Sequence, residues 1–440
     1  MRRHGLTFEN AFTNSCMCSP ARSTWLSGYF PAQHGVKYTL EEDMDPPKNP
    51  QVQLSTRFKN LASVAAAAGY TPVYKGKWHI DKPAGETWAP SDVGKYGFER
   101  WNPPDAGANQ DLDQAGGGTV DNDGRFMNSS GAAETGAEGV LQYLSSEAVE
   151  EQPFLLVVSL VNPHDVLSYP SSYLDFGYDD SWLAGSIGLP ATIGEDLSTK
   201  PTVQRQFVRL FDAGNGRLST QEMQRAYLNF YGNLMKSSDA SLVRILDYEE
   251  TLRVPLVYSN PRLYPAPRRT TAMVSHVDFL PTLASLVGAP RRARARWQGI
   301  DYSRLLLRPA GRPIQDYVVF TFDDYQSGQP NPPYPRPPNH VVSIREARYK
   351  LARYYDPSGR NPSQWGDVRP QARPARAAQP RRSGPPAHPR GGASVPPAAS
   401  QARPRPGDPA AAAPPPRSRG IGRVYAVAAL PTRRPHACGR

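Results

Sequence analysis

Cysteine is scarce in this chain: three among 440 residues, at positions 16, 18 and 438. That leaves no disulfide framework to set the fold. No apolar run approaches the roughly 20 residues a bilayer-spanning helix needs, so no membrane association is expected. The opening Met1-Arg2-Arg3-His4-Gly5 carries charge without an apolar stretch behind it. No export signal is visible, and the cytoplasm is the default compartment. Internal repeats are missing too. Lysine is absent from Gly366 to Arg440, where fourteen Arg and two Asp give a net +12 against +11 for the whole chain. The first 365 residues therefore sum to −1, and the basic character belongs to the tail alone. A near-neutral body has no electrostatic footprint for nucleic acid. The tail also holds sixteen of the 47 prolines, a composition that cannot pack a core and reads as disordered. Salt-sensitive binding of RNA, DNA or acidic lipid by that tail is the only basic-surface route the composition leaves open.

What is present suffices for a folded body. A 39% hydrophobic content over this length supports one large α/β domain and a smaller one. A short strand is expected around Leu6-Thr7-Phe8, then a helix beginning near Cys18. An Ala-rich helix over Leu61–Ala68 stops at Gly69, and Thr71-Pro72-Val73-Tyr74 runs as a strand into Gly76-Lys77-Trp78-His79. Residues 102–135, rich in Gly, Asn and Asp, read as a long loop region, and a helix is expected near Glu134–Ser146. The run Phe154–Val161 reads as a buried parallel strand that delivers Asn162-Pro163-His164-Asp165 at its carboxyl end, where open α/β sheets place ligands. Residues 165–220 read as polar loop, Gln221–Asp247 as a long helix, Val254–Tyr258 as a strand, and His276 to Gly288 as a helix. Strands at Val318–Phe322, Val341–Ile344 and Tyr349–Tyr355 form a smaller carboxyl-terminal sheet.

Cys18-Ser19-Pro20-Ala21-Arg22, continuing to Leu26-Ser27-Gly28, fits C-x-P-x-R…L-x-G. Alone, Cys18 could be a small buried hydrophobe, as free cysteines often are; Cys16 is read that way. Gly69-Tyr70-Thr71-Pro72-Val73-Tyr74-Lys75-Gly76-Lys77-Trp78-His79 is a second ordered signature at compatible spacing. Together these motifs resemble the type I sulfatases of the alkaline phosphatase superfamily, across residues 5–365. The resemblance implies an α/β fold with a mixed, mostly parallel central sheet flanked by helices (alkaline-phosphatase-like) and a smaller C-terminal α+β subdomain. It implies three stretches: 1–290 catalytic, 291–365 the small sheet, 366–440 the tail. It also implies cleavage of a small sulfate-ester substrate. Cys18 would be converted to formylglycine by a formylglycine-generating enzyme and act as its hydrate. One hydroxyl attacks sulfur and expels the alcohol; the other eliminates sulfate and restores the aldehyde, so covalent catalysis splits one hard step into two. Arg22 would anchor the diol, Lys77 bridge diol and sulfate, His79 assist the collapse, and His164 contact sulfate and protonate the alcohol. His34 is read as support for the preceding helix.

The pattern breaks in three places. The family begins with a strand ending in Asp-Asp that holds calcium, whereas this sequence opens at a segment resembling one downstream of it. A strand followed by S-D-H/N-G, with a lysine after it, is expected between Asp247 and Tyr248, where two family segments are fused. Calcium is thus expected from the family while its Asp-Asp and Asp-Asn/His ligands are missing, leaving residue 18 as formylglycine as the one protein metal ligand implied. Asp323-Asp324 follows a strand and is read as an ordinary loop. Finally, back-translating from Trp365 and dropping one G returns W-E-M-Y-D-L, the family ending, so the tail is expected to be out-of-frame translation. Alternative readings are a catalytically silent remnant and a phosphonate monoester or phosphodiester hydrolase of the same superfamily. Neither composition nor motif names the alcohol half of the substrate.

Overall fold

Strand order follows from where the apolar side chains fall. A computed structural model describes residues 5–41, 50–128, 138–247, 256–260 and 263–368, with the side chains of 242–247 and 367–368 outside the description. Strand β1 (Gly5–Phe12) buries Leu6 and Phe8 completely, two residues apart and so on one face. It pairs antiparallel with β4 (Leu256–Ser259) and parallel with β5 (Arg268–Ser275). A second piece joins β2 (Thr71–Gly76) and β3 (Phe154–Ser159) in parallel, in register from Thr71 with Phe154 to Gly76 with Ser159. Both strands are buried along nearly their whole length, which explains the continuous apolar run of β3. No strand among the described residues joins the two pieces. The sheet is mixed, with two of the three pairings in these pieces parallel, and the α/β class expected from the sequence holds.

The helices are punctuated locally. Helix α1 (Cys18–Ser27) closes at Gly28, whose φ of +73° is the left-handed conformation that glycine adopts freely. A Cβ there would also lie 2.9 Å from the Trp297 ring. Helix α2 (Leu61–Ala67) opens with a capping box: Asn60 Oδ1 accepts from Ser63 N–H at 3.0 Å, and Ser63 Oγ accepts from Asn60 N–H at 2.9 Å. The long helix α6 (Gln221–Asp247) has the bounds read from the sequence. None of the described helices is long and apolar enough to cross a membrane.

Several expectations need correction. The stretch 102–135 contains a helix, α3 (Asn122–Asn128), held at its base by Arg125, which donates to Asn102 O and Pro103 O. The helix expected near 134–146 begins, within the described residues, at Val140 (α4, Val140–Ser145). The polar stretch 165–220 contains the 14-residue α5 (Thr202–Asn215), which buries Val203 and Leu210, one heptad apart. Strand β5 was not foreseen. Helix α7 (Phe279–Leu286) packs behind α1.

The carboxyl-terminal sheet is an antiparallel meander of β6 (Tyr317–Phe322), β7 (His340–Glu346), β8 (Lys350–Tyr355) and β9 (Gln364–Val368). Strand β9 runs three residues past Trp365, where the tail was expected to begin, because Gly366, Asp367 and Val368 still pair with Ala352, Leu351 and Lys350. The sheet docks on the segment before α1: Asn14 Nδ2 donates to Val319 O at 2.7 Å, and Thr321 N–H donates to Asn14 O at 2.9 Å. The expected fusion at Asp247–Tyr248 and the out-of-frame tail lie largely outside the described residues, which omit 248–255 and 369–440.

Candidate active site

The carboxyl ends of β1, β2 and β3 each lead into one part of a single site. After β1 the chain turns through residues 13–17 and enters α1 at Cys18, which is partly exposed in its first turn. Met17, the N-cap, supplies no side-chain cap, so the first N–H groups of α1 have no such partner. An anion beside Cys18 would meet those N–H groups and the positive end of the helix.

The turn after β2 brings the cation. Gly76, at φ +103°, passes so close to β3 that a Cβ would sit 2.1 Å from Ser159 O, so only glycine fits. The backbone then turns through His79 at φ +54°. Asp105 holds this turn from the far side. Its Oδ1 accepts from Trp78 N–H at 2.7 Å and Ala106 N–H at 2.8 Å, and its Oδ2 accepts from His79 N–H at 2.7 Å. Lys77 is thereby directed inward: Nζ lies 3.7 Å from Cys18 Sγ and donates to Gly107 O. Burial lowers its pKa, with the neighbouring Cys18 acting the other way. Arg22, one turn into α1, clamps the same corner: Nη1 donates to Lys77 O at 3.0 Å and to Ser159 Oγ at 2.8 Å.

Both histidines are neutral near pH 7. His79 is held well below the usual imidazole range by burial and then by the Lys77 charge. Its Nε2 lies 2.5 Å from Leu40 O and donates to it, which leaves Nδ1 as a buried lone pair without a partner. His164 follows β3 and a buried loop, and its pKa is lowered by burial and then by Lys77. Its Nδ1 stands 3.5 Å from Asp165 Oδ1. Asp165 itself accepts from Gly116 N–H and Gly117 N–H, each at 3.0 Å, and from Tyr178. Cys18 and His164 line one cavity of about 320 Å³, shared with Glu41, Asp111 and the 327–332 loop. Cys18, Arg22, Lys77, His79 and His164 thus meet at one place. His34 sits behind α1, its Nε2 3.1 Å from Thr24 Oγ1, which fits the supporting role.

Asp105, Ser159 and Glu41 were not singled out from the sequence. Ser159 fell inside the apolar run read as Phe154–Val161, and only the structure ends the strand there. Asp105 had no local signal, because the two partners that tie it to the Lys77 turn lie 26 and 27 residues earlier.

Calcium does not fit the described donors. No group of three or more His, Cys, Asp and Glu converges among the described residues. Asp105 and Asp165 spend oxygens on backbone N–H groups, and so does Asp324, whose Oδ2 accepts from Thr39 N–H and Oγ1 at 2.7 and 2.6 Å. Asp323 is taken by His340 Nδ1 at 2.9 Å and Lys37 Nζ at 3.6 Å. The Asp323-Asp324 pair ties the 37–39 segment to the small sheet, as an ordinary loop would. A hard dication needs several uncommitted oxygens.

Comparison with known proteins places the fold. A sulfatase family model matches residues 1–249. An ulvan-active sulfatase of Formosa agariphila is 24% identical over 80% of this chain and 66% of its own length. Arylsulfatase G of Rattus norvegicus is 23% identical over 70% of this chain and 62% of its own. The chain thus spans just under two thirds of these relatives. Among solved structures, one bound to its substrate D-glucosamine-2-N,6-O-disulfate superposes with a TM-score of 0.57 at 15% identity, covering 84% of this chain and 85% of that one. The phosphonate monoester hydrolase of Agrobacterium radiobacter gives 0.52 at 19% identity, covering 83% and 82%. These likenesses establish the fold.

Proposed function

The chain belongs to the sulfatase family, and from that premise we propose that it hydrolyses a sulfate ester with residue 18 as nucleophile. The observation that carries this reading is the Lys77 ammonium 3.7 Å from Cys18 Sγ, at the start of a helix and on the wall of a cavity. The proposal includes maturation of Cys18 to formylglycine by a formylglycine-generating enzyme. Sulfate then lies between Lys77 and the N–H groups of α1, where developing charge is stabilised. A hydroxyl of the hydrated aldehyde attacks sulfur as its proton passes to solvent water, and the bond from sulfur to the ester oxygen breaks. His164 gives the leaving oxygen its proton. Bound sulfate acts upward on the imidazole pKa, which favours the protonated form needed for that step. The second hydroxyl yields its proton to His79 Nδ1 as the bond to sulfate breaks and the aldehyde returns. Arg22 keeps the Lys77 turn and the end of β3 together throughout. No step here passes through calcium.

The prior commitments of Asp105, Asp165 and Asp324 favour a second reading, a chain that binds sulfate esters without turning them over. One assay decides. Protein co-expressed with a formylglycine-generating enzyme is tested on 4-nitrophenyl sulfate, with residue 18 followed by peptide mass spectrometry. Turnover that falls at least about 1,000-fold in Cys18→Ala supports hydrolysis. Matured protein without turnover supports the silent reading, and faster cleavage of a phosphonate monoester would reassign the substrate.

A further inference from the structure

The sum of −1 over the first 365 residues hides a local imbalance, and the tail is not the one basic stretch of the chain. From Arg291 to Arg312 there are seven Arg against a single acidic residue, Asp301, with no Lys or Glu. All seven arginines are exposed. Asp301 and Arg294 answer each other through one hydroxyl: Ser285 Oγ donates to Asp301 Oδ2 at 2.6 Å and accepts from Arg294 Nη1 at 3.4 Å. Arg294 Nε also donates to Ala289 O at 3.1 Å, just past α7. Among the described residues, Arg291, Arg292 and Arg296 take part in no ion pair.

The fold brings two more cations to this stretch. Lys59 Nζ donates to Arg292 O and, at 3.5 Å, to Arg294 O, which sets the start of α2 beside the short turn Arg291–Ala293. Two residues earlier, the Arg57 guanidinium lies 5.5 Å from the centroid of the Phe58 ring, and Phe58 meets Tyr29 at 5.2 Å between centroids. Gly28 O accepts from Gln298 N–H at 3.3 Å, and Phe30 N–H donates to Gln298 Oε1 at 2.9 Å. Residues 57–59 and 291–298 therefore meet at the carboxyl end of α1, with the half-buried rings of Tyr29 and Phe58 among the cations. Cys18 stands at the other end of that helix, whose ten residues span about 15 Å. The basic surface is thus separate from the cavity, whose described lining contains no Lys or Arg.

Arginine forks pair with the oxygens of an anion, and several cations together displace the counterions of a polymer that carries repeated charges. A cavity of about 320 Å³ stands at the small end of ligand sites, so residue 18 meets one unit of such a polymer while the remainder runs over the surface. Reading a duplex calls for a helix or ribbon in a groove, whereas the regular part of 291–296 is a three-residue turn. We propose that Arg57, Lys59, Arg291, Arg292 and Arg296 form a docking surface for a sulfated polysaccharide, separate from the place where an ester is cleaved. The choice of a sulfated chain rests on the reading that residue 18 acts on sulfate esters. Held on this surface, the chain presents its esters to the cavity at a raised effective concentration.

The test is binding of dextran sulfate, uncharged dextran and duplex DNA to the full chain carrying Cys18→Ala, which turns nothing over. Adding Arg291→Gln, Arg292→Gln and Arg296→Gln removes three exposed cations and no described ion pair. Dextran sulfate binding should then weaken at least about ten-fold at about 0.1 M salt, and the slope of log K against log salt should fall by about 2. Three changes in the tail, Arg381→Gln, Arg382→Gln and Arg390→Gln, control for net charge and should weaken binding less. A loss below ten-fold, an equal loss in the tail control, or equal binding of uncharged dextran overturns the proposal. Tighter binding of duplex DNA than of dextran sulfate also overturns it and makes the surface one for nucleic acid. Turnover of 4-nitrophenyl sulfate is read separately, on protein that keeps Cys18, and should not change with the three substitutions at 291–296. Its absence throughout would sink the hydrolytic reading and leave the binding ratios to decide this one.

Discussion

Two groups of residues at the cavity are built in opposite ways. Around Cys18 each functional atom is set by a regular element and a named partner: α1 carries the nucleophile, the end of β2 carries Lys77, and Asp105 fixes the turn between them. Residues 109–111 and 327–332, which also line the cavity, are drawn from loops far apart in sequence and have no strand or helix of their own there. Reaction geometry tolerates little displacement, whereas recognition can be adjusted by loops on a fixed scaffold. The first group is therefore expected to fail abruptly when touched, and the second to shift preference.

Lys77 is the sharpest way to break that comparison. Replacing it with Met keeps most of the stem and removes the charge beside residue 18. The expected loss in kcat on 4-nitrophenyl sulfate is about 100- to 1,000-fold, the range seen when one donor to a developing oxyanion is removed. A loss below ten-fold would move charge stabilisation to Arg22 and the helix N-terminus. Asp105→Ala acts next, through the fold. It leaves the N–H groups of Trp78, His79 and Ala106 buried without their acceptor. Each such group costs about 1–3 kcal/mol, softened by relaxation of the turn, so urea unfolding should show a total loss of about 2–4 kcal/mol. Unchanged stability would mean that water replaces the carboxylate and that the turn is not held as described.

The same contrast explains what the sequence made legible. Where structure depends on near neighbours, the reading held: α6 has the expected bounds, α2 stops at its glycine, and β3 follows its apolar run. The two signatures are local too, and their residues meet in one site. What was missed depends on distant partners. Strand β5 begins Arg268-Arg269-Thr270-Thr271, polar enough to read as loop, and becomes a strand because β1 lies alongside it. Helix α5 was hidden by its polar face, with Val203 and Leu210 its buried positions. Asp105 and Glu41 lie in stretches without periodicity, and their roles exist only once the Lys77 turn and α1 are folded against them.

The mildest expected effect lies behind the nucleophile and concerns pH. His34 Nδ1 accepts from Val36 N–H at 3.1 Å, so that nitrogen carries no proton; Nε2–H is left to donate to Thr24 Oγ1 on the rear of α1. Burial is the main reason the folded pKa falls to about 3. Protonation would also cost the Val36 bond. Above pH 6.5 the residue is neutral in folded and unfolded chains alike and adds no pH dependence. Between 6.5 and about 3 the unfolded chain takes up a proton that the folded chain refuses, so this contribution to stability falls as pH falls. By pH 4.5 the cost reaches about 2–3 kcal/mol at 1.36 kcal/mol per pH unit. His34→Gln keeps an acceptor for Val36 and a donor for Thr24 without a titrating group. Thermal unfolding of both proteins from pH 7.5 to 4.5 should show the wild type losing more stability than the variant, while His276, lowered to about 4 by its own burial, contributes equally to both and cancels. Parallel curves would show that α1 tolerates a charged His34, and the wall that carries the nucleophile would then be less rigid than its hydrogen bonds imply.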